Sequence, residues 1–287
     1  MTFTDMLQAV AQRQQSMLCV GLDPEPSKFP GAWKGDALRI FDFCAAIVDA
    51  TRDLVCAYKP QIAYFAAHRA EDQLERLMAH IKRNAPDVPV ILDAKRGDIG
   101  STAEQYAREA FVRYQADAVT LSPFMGFDSI EPYLSYSDKG LILLCRTSNP
   151  GGSDLQAQRL VNEDGSTGER VFERIARLAA GPWNRSGQLG LVVGATFPQE
   201  LARVRELAPT LPLLVPGVGA QGGDAAATVK AAVRADLPGC GALIVNSSRA
   251  VLYAGAGDDF AQAARGVARQ TRDALNAARQ RTSAAWS

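Results

Sequence analysis

The chain has 287 residues, 47% of them hydrophobic and 22% charged, with 31 basic and 31 acidic side chains. This is ordinary globular composition, which excludes a disordered or fibrous chain, and the lack of a basic excess argues against a protein that neutralises nucleic-acid phosphates. Lysine is scarce, 7 against 24 arginines, so each lysine near a motif carries information.

The first residues, MTFTDMLQAVAQRQQSM, have neither the basic nor the apolar region of a secretory signal. They lead into the first of eight short apolar runs, 18–23. Residues 24–35, with Pro24, Pro26, Pro30 and Gly31, then read as a long loop. The second run, 55–60, precedes a helix predicted over Ala63 to Ala85, where Phe65, Leu74, Leu77, Met78 and Ile81 form an apolar stripe. The third run, 88–95, is followed by Ser-Thr-Ala-Glu. Ser101 and Glu104 read as a capping box that opens the next helix and puts Thr102 in its first turn. Runs at 118–123 and 141–148 come next, then a second long loop, 149–168. Runs at 189–196, 211–219 and 242–249 complete the series. A helix is predicted over Asp258 to Arg281, and 282–287 read as a frayed tail.

The runs are mostly continuous in hydrophobicity, as parallel strands covered on both faces must be. Eight strand-then-helix units predict one α/β domain over residues 1–287, a (β/α)8 TIM barrel. An open doubly wound sheet is disfavoured by the eight regular units and by the lack of GxGxxG after the first strand. No apolar run approaches the roughly 18 residues of a membrane span, so a cytoplasmic protein is expected. Cys19, Cys44, Cys56, Cys145 and Cys240 are odd in number and widely spaced, without a CxxC pair. They read as reduced thiols rather than a disulfide framework. His68 and His80 share one helical stretch away from other ligand-like residues, which argues against a zinc site or a Ser-His-Asp triad.

Charged residues recur where the strands end: Asp23, Lys59, Asp93 and Lys95. Asp93 and Lys95 lie two apart in one strand, so both face the barrel interior at its mouth, and Asp98 follows just past the strand end. Carboxylate, ammonium and carboxylate within six residues form a device for placing charge or moving protons. Burying such groups without partners would cost several kcal/mol each. Arg96 alternates to the other strand face. The second constellation is PGVGAQGGD, 216–224, after the seventh run, whose glycines let backbone N–H groups approach a phosphate. Gln221 is the polar side chain inside this loop. Arg249, in NSSR at the end of the eighth run, offers a bidentate contact to the same group. Loops after the seventh and eighth strands are the usual phosphate site of such barrels.

The pattern D-x-K-x-x-D-I-x-x-T, here Asp93, Lys95, Asp98, Ile99 and Thr102, resembles the signature of the orotidine 5′-phosphate decarboxylase family. The likeness extends to LDP at Asp23, YKPQ at Lys59, TSNPG at Ser148, PGVGAQGGD at Gln221 and SSR at Arg249. It therefore covers nearly the whole chain and looks most like the longer bacterial branch. One departure is Ser248, where many members have a glycine. The resemblance implies conversion of orotidine 5′-monophosphate to uridine 5′-monophosphate and carbon dioxide, the last step of de novo pyrimidine synthesis, with neither metal nor organic cofactor. It further implies Lys95 as proton donor to C6, Asp93 beside the substrate carboxylate, and Lys59 and Asp98 completing a charge network. Asp23 and Lys59 would meet the ribose, Ser148 the pyrimidine, and Gln221 and Arg249 the phosphate. Asp98 and Thr102 would reach into the partner's site of a homodimer. Two alternatives stay open: a magnesium-dependent sugar-phosphate lyase or decarboxylase of the same superfamily, and a non-catalytic nucleotide-binding barrel.

Overall fold

The computed structural model describes residues 1–218, 224–234, 236–237 and 241–284. Its strands are β1 (Leu18–Leu22), β2 (Ala57–Pro60), β3 (Ile91–Arg96), β4 (Ala118–Leu121), β5 (Gly140–Arg146), β6 (Arg159–Val161), β7 (Thr167–Arg170), β8 (Leu189–Val193), β9 (Leu213–Pro216) and β10 (Leu243–Ser247). The helices are α1 (Phe3–Gln14), α2 (Ile40–Thr51), α3 (Ile62–Ala66), α4 (Glu71–Asn84), α5 (Gly100–Arg108), α6 (Val171–Ala180), α7 (Pro198–Leu207), α8 (Ala225–Ala232), α9 (Arg249–Leu252) and α10 (Phe260–Ala284).

Each of the eight predicted runs coincides, to within one residue at β3 and β5, with one strand of a single parallel sheet, hydrogen-bonded in the order β2-β1-β10-β9-β8-β5-β4-β3. Parallel bridges from Tyr58 to Val90 and from Gln61 to Asp93 span the remaining seam between β2 and β3. The result is a nearly closed (β/α)8 barrel. Its strands are buried almost throughout, as their unbroken apolar runs require. Among the described residues, no helix is long and apolar enough to cross a membrane.

Several local expectations are corrected. The helix predicted over 63–85 is two helices, α3 and α4, separated by a turn in which Arg69 adopts φ 53°. The turn lets Phe65 bury as fully as the Leu74, Leu77 and Ile81 stripe of α4. The Ser101–Glu104 capping box does not form. Helix α5 begins two residues earlier than the box implies, at Gly100, with extended Ile99 at its N-cap and no side-chain cap. Ser101 therefore lies inside the first turn, where its own N–H belongs to the set a cap would serve, and Thr102 lies there too, exposed. The loop after β5 has order of its own: a 3-10 turn at Pro150–Asp154 and the antiparallel β6–β7 hairpin. The last helix runs through Ala284, into the segment expected to fray.

The first long loop is tied down by aromatic packing. Phe29 stacks on Phe43 at 4.4 Å between centroids, and Trp33 meets Phe260 edge-on at 5.7 Å. Cys19, Cys44, Cys56 and Cys145 are buried and unbridged; Cys240 lies outside the described residues. His80 pairs with Asp49 and Asn84 on the helical layer.

Candidate active site

The carboxyl ends of the barrel strands surround a cavity of about 530 Å³, within the usual range for a small-molecule site. Seven of the eight barrel strands contribute directly, and β1 contributes through the residue after it. Lys59, Asp93, Thr120, Leu144, Val192, Leu214 and Asn246 form its walls, and Asp23 stands just past the end of β1. Lys95, Ser148 and Arg249 rim the same cavity.

At its centre, Asp93 lies between two ammonium groups. Lys59 Nζ donates to Oδ2 and Lys95 Nζ to Oδ1, both at 2.7 Å. The Thr120 hydroxyl adds a third bond to Oδ1 at 2.9 Å. Lys59 also faces Asp23 Oδ1 at 4.0 Å, so two cations and two anions balance. Lys59 is only 4% exposed and Asp93 7%. Burial alone would lower the Lys59 pKa, but the Asp93 and Asp23 carboxylates outweigh it and hold the ammonium above the ordinary lysine value. Burial likewise opposes ionisation of Asp93. Lys59 and Lys95 reverse that and hold its carboxyl well below the usual carboxylate range. Cys19, packed beneath Lys59, has its thiol pushed up to about 12 by burial, so it is no nucleophile near neutral pH.

Simple alternation along β3 does not by itself create this convergence. Lys95 has φ 47°, and the β3–β4 register shifts between Leu92 and Arg96. Thr120 Oγ1 accepts from both the Ala94 and Lys95 N–H groups at 3.0 Å, which holds the irregular strand end. A left-handed lysine is costly and persists only where its surroundings impose it. Beyond it, Arg96 turns outward to a bidentate pair with Glu109. Asp98, at φ 122°, uses Oδ1 to accept from the Ile99 N–H. Asp98 and Thr102 do not line the cavity, so this chain alone brings together Asp23, Lys59, Asp93 and Lys95 but leaves those two outside.

Ser148 is placed by the loop after β5. Arg146, 1% exposed, pairs with Glu200 and donates to Ser153 Oγ at 3.0 Å and Thr147 O at 3.3 Å, lying over the Phe197 ring. Gln156 Oε1 accepts from the Thr147 N–H at 2.8 Å. Two strands along the barrel from β5, Pro216, Gly217 and Val218 line the cavity. The rest of the glycine-rich loop, with Gln221, lies outside the described residues. Thr120, Asn246 and Ser248 are among the contributors that were not anticipated. Polar residues inside otherwise apolar runs (AVTLSP and ALIVNSSR) were the available signal for the first two. For Ser248, whose hydroxyl donates to Asp23 at 2.6 Å, there was only the departure from glycine.

A (β/α)8 barrel with a lysine–aspartate–lysine chain at its C-terminal mouth has the charges in place for proton transfer, the arrangement of a barrel enzyme. The orotidine 5′-phosphate decarboxylase of Leptothrix cholodnii is 76% identical over 97% of this chain and 98% of its own length. That of Methylibium petroleiphilum is 76% identical over 97% of this chain and its entire own length. Among solved structures, the OMP decarboxylase of Leishmania donovani superposes with a TM-score of 0.82 at 39% identity, covering 98% of this chain and 99% of the other. Residues 16–267 match the model of the Orotidine 5′-phosphate decarboxylase / HUMPS family, and the chain belongs to that family.

Proposed function

We propose that this protein decarboxylates orotidine 5′-monophosphate to uridine 5′-monophosphate and carbon dioxide, as a cytoplasmic enzyme of de novo pyrimidine synthesis that uses no cofactor. The observation that carries the reading is the Lys59–Asp93–Lys95 chain at the cavity mouth. The C6–carboxylate bond breaks heterolytically, carbon dioxide leaves, and the electron pair stays on C6. Lys95 gives its proton to that carbon, and its positive charge stabilises the carbanion as it forms. Asp93 stands against the departing carboxylate, so release of neutral carbon dioxide relieves a like-charge contact. Lys59 keeps Asp93 ionised and, with Asp23, meets the ribose hydroxyls. Ser148 reads the pyrimidine edge. Gln221 and Arg249 grip the phosphate, whose binding energy acts on the distant C6 through loop closure.

Two chains form the working unit in this reading, Asp98 and Thr102 of each completing the other's site. The exposed apolar side chains of Ile99, Phe124 and Met125 support it. Ile99 follows Asp98 directly, Phe124 precedes Met125, and the Met125 methyl reaches within 3.9 Å of the position a side chain would take at Gly97. A clustered apolar surface of this kind is what a subunit contact covers. The alternative reading is a magnesium-dependent sugar-phosphate enzyme. A divalent cation bound at Asp93, however, would face the two ammonium groups already there.

The test follows loss of orotidine 5′-monophosphate by absorbance with a chelator present. Wild type should turn over without added metal, and a folded Lys95→Ala variant should lose many orders of magnitude. Dependence on magnesium, or a Lys95→Ala variant keeping a tenth of the activity, would overturn the reading.

A further inference from the structure

The turn that carries Arg249 follows β10 and also holds Asp23, which directly follows the neighbouring strand β1. Asp23 is fixed in two places. Its main-chain oxygen accepts from the Tyr253 hydroxyl at 2.9 Å, and that hydroxyl in turn accepts from the Glu25 N–H at 2.8 Å. Its carboxylate Oδ2 accepts from the Ser248 hydroxyl at 2.6 Å. The other oxygen, Oδ1, is buried with no hydrogen-bond partner among the described residues, and Lys59 stands 4.0 Å from it. Among the described residues, Ser248 is therefore the one short contact that sets the rotation of this carboxylate.

Ser248 is itself held in place. Its carbonyl oxygen accepts from the Val251 and Leu252 N–H groups, both at 2.9 Å, so the short helix that follows fixes its backbone. Space for the side chain comes from the neighbouring strand. A methyl group at Gly21 would lie 2.9 Å from Ser248 Cβ and 3.0 Å from Asn246 Oδ1. Gly21 has no left-handed backbone to explain it, so room for its neighbours is its reason. An ionised carboxylate only accepts hydrogen bonds. With one lone pair engaged by Ser248, the remaining ones take a fixed direction toward donors such as sugar hydroxyls.

We propose that Ser248 is a positioning residue that orients Asp23 for the ribose hydroxyls and so couples the sugar wall of the cavity to the turn bearing Arg249. The proposal rests on the decarboxylase reading above. Substitution separates the hydroxyl from the packing. Ser248→Ala keeps Cβ against Gly21 and removes only the donor, whereas Ser248→Gly removes both.

The experiment measures kcat and KM on orotidine 5′-monophosphate for wild type, Ser248→Ala, Ser248→Gly, Asp23→Ala and the Ser248→Ala/Asp23→Ala pair, with thermal midpoints as the check on folding. If the hydroxyl acts, both Ser248 variants raise KM about tenfold with kcat changed less than twofold, a size set by one lost hydrogen bond to a charged group. In the Asp23→Ala background Ser248→Ala then adds nothing. If Ser248 only fills space, Ser248→Ala matches wild type, or the two losses add, and the assignment falls. Absence of turnover by wild type itself would overturn the decarboxylase reading and this one with it. Normal wild type with normal Ser248→Ala overturns this one alone.

Discussion

Asp93 shows how a buried carboxylate is kept charged. With two ammonium groups and a hydroxyl on its oxygens, its ionised form is favoured in the folded state far more than in the unfolded chain. A carboxyl whose folded pKa is depressed adds stability above its unfolded pKa, near 4, and loses it as pH falls through the lower folded value. Lys59, raised by the same partners, adds stability below its unfolded value near 10.5 and loses it only as pH rises through the still higher folded one. The pair is therefore fully effective between about pH 4 and pH 10. Asp93→Asn should cost about 3 kcal/mol at pH 7, because it leaves the buried Lys59 ammonium without its nearest counter-charge. Urea titrations should show the gap between wild type and variant narrowing below about pH 4; a gap constant down to pH 2 would contradict this account. Arg249, exposed on the cavity rim, calls for a different test. Arg249→Ala should lower kcat/KM on orotidine 5′-monophosphate by about a hundredfold or more. It should do almost nothing on orotidine lacking the phosphate. Equal losses on both substrates would mean that Arg249 does not bind the phosphate.

Strands and helices were legible because periodicity survives folding, but their ends were not. The Ser101–Glu104 pattern satisfies the capping-box rule, yet the chain leaves β3 through Lys95 and Asp98 at positive φ and enters α5 at Gly100 instead. The Lys95 torsion is held by Thr120 on the adjacent strand, a contact that no local pattern contains. A comparable dependence joins β8 to the loop after β5. The Gly194 N–H donates to Arg146 O at 2.7 Å, and a methyl at Gly194 would lie 2.6 Å from Ser148 Cα. Because backbone stands there, it cannot yield as a flexible side chain would. Gly194→Ala should therefore displace the loop, destabilising the protein by about 2 kcal/mol and lowering kcat/KM as Ser148 shifts. Denaturant unfolding and steady-state kinetics on one preparation check both; unchanged values would show that the loop moves freely away.

The assembly of two chains is tested by mixing. If Asp98 serves the neighbouring site, inactive Lys95→Ala and inactive Asp98→Ala chains should recover activity on subunit exchange, because a mixed pair holds one site with both residues intact. Two exchanged partners that stay inactive would mean that each chain completes its own site, despite the absence of Asp98 from the cavity lining. The exposed Ile99, Phe124 and Met125 supply a second measurement. Ile99→Asp should shift the protein toward monomer in sedimentation and reduce activity at low concentration.

The barrel could be read from the chain because eight apolar runs of strand length, separated by helix-length segments, leave few other ways to bury both faces of each strand. Asp23, Lys59, Asp93 and Lys95 could be read because ionisable residues at the ends of such runs demand partners, and strand ends converge at one mouth. Folding settled what depends on groups distant along the chain: the Thr120 clamp on β3, the hold of Arg146 on the Ser148 loop, and the contact from Ser248 to Asp23 across 225 residues. A hydrogen bond is decided by a few tenths of an ångström and a torsion angle, and those are set by the packing of the whole barrel, whereas hydrophobic periodicity is set residue by residue.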